Sequence, residues 1–211
     1  NLLTTANLLD LVQQISVNAI MAFGMTLVIL IGGIDLSVGA ILALVGTTTV
    51  CLLTATASPW GAMPAALIGL SVATSFGVFN GLCAARTKMP AFIITLATML
   101  IARGAALRFN EGRPMPIPLE QSAFLALGNG RIFDVVPVPV VVMLAVFLAT
   151  SILLHRTRFG QHLFAIGGNR EAARFTGIPV ARREITVYTV CALLAGTAGM
   201  IHTSSSTRRN R

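Results

Sequence analysis

Long apolar runs alternate with short polar breaks along most of this sequence. Each run is close to the length of about 20 residues that an α-helix needs to cross a bilayer. None shows the apolar and polar alternation over about ten residues that is typical of a transmembrane β-strand. The pattern therefore predicts an all-α fold, a polytopic transmembrane bundle of about six spans in a single domain over residues 1–211. The predicted spans cover residues 11–31, Val38–Thr54, 63–85, 90–109, 135–154 and 185–202.

Composition agrees with a membrane protein and changes how the positive charge is interpreted. Of the 211 residues, 55% are apolar and 10% are charged, whereas a soluble domain has about 25% charged residues. The formal net charge is +8, which in a soluble protein would suggest a nucleic acid partner. Here the arginines cluster at the ends of the apolar runs. The charge therefore indicates membrane orientation and contact with the lipid bilayer, and no nucleic acid partner is expected.

The longest polar interval is the segment 156–184, which lies between the last two runs. It contains six arginines and two glutamates, and basic residues near span ends resist translocation, so we expect it on the cytoplasmic side. Residues 170–175 are mostly good helix formers. Asn169 can cap a helix through its side-chain oxygen, and Gly177 followed by Pro179 can stop one. The segment therefore predicts a short helix on the cytoplasmic face.

Alternation of the spans from this segment gives an orientation for the rest of the chain. The turn at residues 86–88 then also lies inside, in agreement with its two cations. The N-terminus lies outside, in agreement with the lack of Lys and Arg in the first ten residues. The stretch 110–134, rich in proline and glycine, is likewise predicted on the outside.

A glycine-rich break at residues 32–39 separates the first two runs. Asp35 is the only Asp, Glu, Lys, Arg or His between Asp10 and Arg86, and an unpaired carboxylate in lipid is costly. One interpretation is a helix broken at membrane depth, which transporters use to line a substrate site. The other is a tight turn at the membrane interface in which Asp35 or Ser37 caps the next helix.

No residue pattern in the sequence indicates catalysis or metal binding. The three cysteines, Cys51, Cys83 and Cys191, lie inside apolar runs without the spacing of metal ligands. The three histidines are scattered, and there is no Walker phosphate loop. We therefore expect no catalytic residue, no metal and no cofactor bound directly by this chain.

Three motifs, in the same order along the chain, resemble the membrane permease of ribose-type ATP-binding cassette importers. The first is SVNAIMAFGMTLVIL followed by GGIDLSVGA, at residues 16–30 and 32–40. The second is PAFIITL at residues 90–96, and the third begins with AIGGN at residues 165–169. Together they cover nearly all of residues 16–200. The resemblance implies a multi-pass permease subunit of the bacterial inner membrane that imports ribose or a related monosaccharide.

The resemblance also implies partners. A cytoplasmic ATP-binding subunit would hydrolyse ATP, a periplasmic binding protein would deliver the sugar, and a second permease copy or a homologue would complete the pathway. The segment 156–184 would be the cytoplasmic coupling loop, with Ala172 and Ala173 forming a smooth docking face. The candidate coupling residues are Gly168, Asn169, Arg170, Glu171, Ala172, Ala173, Arg174 and Gly177.

Candidate pathway residues follow from the chemistry of a sugar, which needs hydroxyl, amide and carboxylate partners. Ser37, Asn18 and Asp35 supply these three groups. Asn18 lies within the first span, where it could alternatively form an interhelical hydrogen bond. Asp35 could equally hold the broken segment together.

The resemblance fails at both ends of the chain. A preceding span and several later spans are expected but not seen, and an arginine-rich tail follows Ile201. We therefore expect a permease domain that is incomplete at both ends. Two alternatives stay open: an ion-coupled secondary transporter that uses Asp35 as its cation or proton site, and a truncated permease remnant without transport activity.

Overall fold

The computed structural model of the chain describes residues 5–55, 61–110, 117, 121–132 and 135–209. A short antiparallel pair, β1 (Arg131–Ile132) and β2 (Val136–Pro137), follows the fifth helix. Almost all other described residues are helical, so the predicted all-α bundle is confirmed. The helices are α1 (Thr5–Leu30), α2 (Val38–Thr54), α3 (Ala62–Arg86), α4 (Ala91–Asn110), α5 (Ser122–Asn129), α6 (Val138–Arg156), α7 (Arg158–Gly168), α8 (Arg170–Phe175) and α9 (Val180–Arg209).

Apolar helices occupy the places of all six predicted spans, namely α1, α2, α3, α4, α6 and α9. All except α2 have the length and composition needed to cross a membrane. Helix α2 has 17 residues, or about 26 Å of helix, slightly less than a hydrocarbon core of about 30 Å. Part of the predicted outer stretch forms α5 and the strand pair, while residues 111–116, 118–120 and 133–134 lie outside the described part of the chain.

Helix α9 is the central element of the bundle and packs against α1, α2, α3 and α5. Its buried side chains include Val187, Tyr188, Cys191 and Ala195, which join the largest apolar cluster of the structure. In contrast, α6 has only two buried residues, Pro139 and Leu154, and several exposed apolar side chains. Exposed apolar helices are expected where lipid is the solvent.

Helices α3 and α9 approach each other closely through glycine. A Cβ atom added at Gly77 would lie 2.7 Å from the Cα of Thr189, and one added at Gly81 would lie 2.6 Å from the Cα of Ile185. Small residues allow such backbone approach between membrane helices. Because the later glycine meets the earlier α9 residue, the two helices run antiparallel, as the alternating topology requires.

Helix α9 differs from the predicted span at both ends. It begins at Val180 and continues through the polar tail instead of ending at residue 202. The tail is helical because Ser204 is buried against α5: its Oγ donates to Phe124 O at 2.8 Å and accepts from Gly128 N at 3.0 Å. Asn129 Nδ2 also donates to Ser204 O at 2.8 Å. One polar residue of what resembles a free tail in sequence, Ser204, is therefore satisfied by a distant element.

Candidate functional site

Three connections meet at one end of the bundle: the break after α1, the turn between α3 and α4, and the segment that carries α7 and α8. A cavity of about 360 Å³ lies among them and is lined by residues of all three, including Gly33, Lys88 and Arg170. This end therefore collects the basic residues for which a cytoplasmic location is expected. They are Arg86, Lys88, Arg156, Arg158, Arg170, Arg174, Arg182 and Arg183.

Helix α8 has the ends that the sequence predicts. Asn169 Oδ1 accepts a hydrogen bond from Ala172 N at 2.9 Å, which caps the helix start. At the other end Gly177 adopts φ 84°, a left-handed conformation that glycine adopts most readily. Ile178 N then donates to Ala173 O at 3.2 Å, which closes the last turn. The predicted short helix at residues 170–175 is thus confirmed at both ends.

One face of α8 is fixed to the bundle. Ala173 is 4% exposed and packs with Ile166 and Val180. Arg170 donates to Glu184 at 2.9 Å, and the side chain of Glu184 is 5% exposed. The expectation that both Ala172 and Ala173 form a smooth docking face is therefore corrected, because Ala173 faces the bundle and only Ala172 is exposed.

The other face of α8 and its flanks is open. Gly168, Glu171, Ala172 and Arg174 are exposed, and Phe175 is 90% exposed. This phenyl group is open to contact with a partner or with the membrane surface. Sequence reasoning overlooked Phe175, although an aromatic residue inside a basic surface segment is a detectable signal.

Helix α7 is the part of the basic segment that sequence reasoning missed. Thr157 Oγ1 accepts from Gly160 N at 3.4 Å at its start. Arg183 of α9 donates to His162 Nδ1 at 3.1 Å and lies 5.4 Å from the centre of the Phe159 ring. The apolar residues of α7 recur on one face of the helix, and Leu163 and Ile166 on that face are buried. Helix α7 is therefore held against α9 by Arg183 and packs against α8 through Ile166.

The break at residues 31–37 is organised by a buried polar network. Ser37 donates to Asp35 Oδ1 from both its backbone nitrogen, at 2.8 Å, and its Oγ, at 2.5 Å. Asn80 Nδ2 donates to Ser37 Oγ at 3.0 Å, and Thr98 Oγ1 donates to Asn80 Oδ1 at 2.6 Å. The network therefore ties the break to α3 and α4, about 10 Å inside the ends of those helices.

Asp35 fits a structural role within this chain. It is 4% exposed, and Ser37, at the N-cap position of α2, makes no side-chain capping bond. The Asp35 Oδ1 atom accepts both hydrogen bonds from Ser37 within the same break. These contacts favour the interpretation that Asp35 holds the broken segment together.

Asn18 lies away from the other two candidate pathway residues. It is exposed on α1, three turns or about 18 Å before the end of that helix at Leu30. The structure thus brings Asp35 and Ser37 together and leaves Asn18 on an open face of the bundle. That face is available to lipid, to another subunit or to a pathway.

Replacing Asp35 by alanine should lower the stability of the bundle by about 1–3 kcal/mol, because two buried Ser37 donors lose their acceptor. Asp35→Asn keeps a side-chain oxygen and should cost less. The measurement is the midpoint of thermal unfolding in detergent. Unchanged midpoints in both variants, with reduced transport, would show that Asp35 acts on the substrate and not on the fold.

Metal binding has no candidate cluster in the described part of the chain. Groups of three or more His, Cys, Asp or Glu that could hold a metal ion are not found there. Cys51, Cys83 and Cys191 are not disulfide-bonded.

Known proteins similar to this chain are membrane permeases. Residues 7–210 match the family described as branched-chain amino acid transport system / permease component. The chain is 43% identical over 203 residues to the ribose import permease protein of Escherichia coli K12, covering 95% of this chain and 62% of that protein. It is 40% identical to the ribose import permease protein of Bacillus subtilis, covering 94% and 60% of the two chains.

A third relative is named for a different sugar. The chain is 37% identical over 207 residues to an L-arabinose transport system permease protein of Escherichia coli K12, covering 98% of this chain and 61% of that protein. The chain thus spans about three fifths of the length of these curated relatives. No solved structure matches it. The matched residues and the apolar helices show that the chain belongs to the family of permease components of branched-chain amino acid transport systems, as a multi-pass protein of the bacterial inner membrane.

Proposed function

We propose that the chain forms part of the membrane-spanning permease of an ATP-binding cassette importer that brings ribose or a related monosaccharide into the cytoplasm. The observation that carries the proposal is the 43% identity to a ribose import permease over 95% of this chain. The names of the relatives include ribose and L-arabinose. We therefore propose a monosaccharide as the substrate, and not the branched-chain amino acid named in the family description.

The exposed face of α8 supports contact with a separate ATP-binding subunit. Gly168, Glu171 and Ala172 are open to solvent, while Ala173 and Arg170 attach the helix to α7 and α9. Because α8 is attached to α7 and α9 on one face and open on the other, a partner that moves α8 would also move the spans. Hydrolysis of ATP in that partner would then change the access of the pathway.

A periplasmic binding protein and a second permease copy or homologue complete the proposed system. Asn18, on an open face of α1, is our candidate for contact with the sugar. Asp35 and Ser37 are proposed to act near the pathway through the position of α2, which their hydrogen bonds fix. The chain itself would supply no catalytic group and bind no cofactor, with ATP used by the partner.

The test is uptake of labelled ribose by bacteria that lack only their own ribose permease, keep the ATP-binding subunit and binding protein of their ribose importer, and express the full chain. We expect saturable ribose uptake that stops on ATP depletion and persists with a protonophore, and no uptake of labelled leucine. Uptake that needs a proton gradient but no ATP would instead support the ion-coupled transporter. Normal membrane insertion without any uptake would support the inactive remnant.

A further inference from the structure

A second cavity, of about 420 Å³, lies where α8 and the start of α9 meet the end of α3. Three arginines line it, and none of the described residues that line it is acidic. The remaining wall is mostly apolar. The lining residues are Ala85, Arg170, Arg174, Ile178, Pro179, Val180, Ala181 and Arg182.

The charges of this cavity are only partly neutralised within the chain. Arg170 forms an ion pair with Glu184 through one guanidinium nitrogen, which leaves further N–H donors on the same group. Arg174 and Arg182 have no carboxylate within 4.0 Å among the described residues. Arginine residues that line one cavity can bind the oxygens of a phosphate group, since arginine binds phosphate with paired hydrogen bonds.

The position of the cavity indicates where that phosphate comes from. Ala85 belongs to the last turn of α3, and Val180 and Arg182 belong to the first turn of α9. Both helices qualify as membrane spans by length and composition, so their ends lie at the level of the lipid headgroups. A wall that combines apolar side chains with arginines suits the boundary between acyl chains and headgroups, where basic pockets on the cytoplasmic side bind anionic lipid.

We propose that this cavity binds the phosphate headgroup of an anionic phospholipid of the cytoplasmic leaflet. The bound lipid neutralises Arg174 and Arg182 and joins α8 to the ends of α3 and α9. The site requires only that these spans cross a bilayer, and it does not depend on which substrate the protein carries.

The experiment is native mass spectrometry of the full chain purified in a neutral detergent. Phosphatidylglycerol and phosphatidylcholine with identical acyl chains are added in equal amounts, and the retained lipids are counted. We expect preferential retention of phosphatidylglycerol. Arg174→Gln and Arg182→Gln should each lower that retention roughly fivefold, the effect of about 1 kcal/mol per arginine. Both side chains lie at the surface, and equal unfolding temperatures in detergent alone will show that the variants fold.

The matched control is Arg158→Gln, which removes the same charge from the same end of the bundle but lies outside the cavity. Its retention should equal that of the unmodified chain. Equal loss in this control, or equal retention of the two lipids, would overturn the proposal. Displacement of the lipid by millimolar inorganic phosphate would identify a site for free phosphate instead. Unchanged lipid retention in the cavity variants, with loss of a co-purifying ATP-binding subunit, would show that the arginines face a protein.

Discussion

Replacing Gly77 by valine should separate α3 from α9 and lower the free energy of unfolding by about 3 kcal/mol, at the upper end of the usual cost of overpacking. A Cβ atom at this position would lie 2.7 Å from Thr189 Cα and 2.8 Å from Tyr188 O. These are backbone atoms of the central helix, so no flexible side chain can move aside. Helices α3 and α9 would have to move apart, and their contact is the most extensive between two helices among the described residues.

The measurement for Gly77→Val is thermal unfolding of the purified chain in detergent, with an expected fall of at least about 5 °C for a chain of this size. Gly104→Val is the matched control, because it makes the same change in α4 and its Cβ atom would meet no atom within 4 Å. Equal unfolding temperatures for the two variants would mean that the close approach of α3 and α9 does not exist.

Replacing Gly168 by glutamate should reduce sugar uptake at least about tenfold, which corresponds to 1.4 kcal/mol of lost docking energy. The folded chain tolerates the change, since a Cβ atom at Gly168 meets nothing within 4 Å and the residue is exposed. Any loss must therefore arise in the contact with another subunit. A new carboxylate at position 168 would leave a buried, unpaired negative charge in that interface.

Uptake for Gly168→Glu is measured per amount of inserted protein, together with ATP hydrolysis by the partner subunit. Gln161→Glu is the matched control, because it adds the same charge at an exposed position of α7. We expect normal uptake for this control. If Gly168→Glu and Gln161→Glu transported equally well, the docking role of the segment would be wrong.

Local chemistry explains which features of the candidate site could be predicted from the sequence. Asn169 caps α8 through a residue three positions later, and Gly177 ends it through its own backbone conformation. Both interactions involve neighbours in the chain, so the residue types suffice to predict them. The apolar runs predicted the spans for a similar reason, since lipid requires a helix of fixed length whatever surrounds it.

The features that were missed depend on residues far apart in the chain. Asn80 and Thr98 complete the network of Asp35 only because α3 and α4 pack beside the break. Ala173 is buried while the adjacent Ala172 is exposed, because α8 packs against α7 and α9 with the face that carries Ala173. Ser204 extends α9 because α5 folds over it.

The sequence by itself determined the membrane class, the order of the apolar helices and the ends of the short cytoplasmic helix. Each of these follows from the length of apolar runs or from contacts within one helical turn. Only the tertiary structure decided which face of α8 is open, that Glu184 holds Arg170, and that three arginines surround one cavity. Such choices depend on which helices meet and at what rotation, and the packing of small residues such as Gly77 and Gly81 sets both.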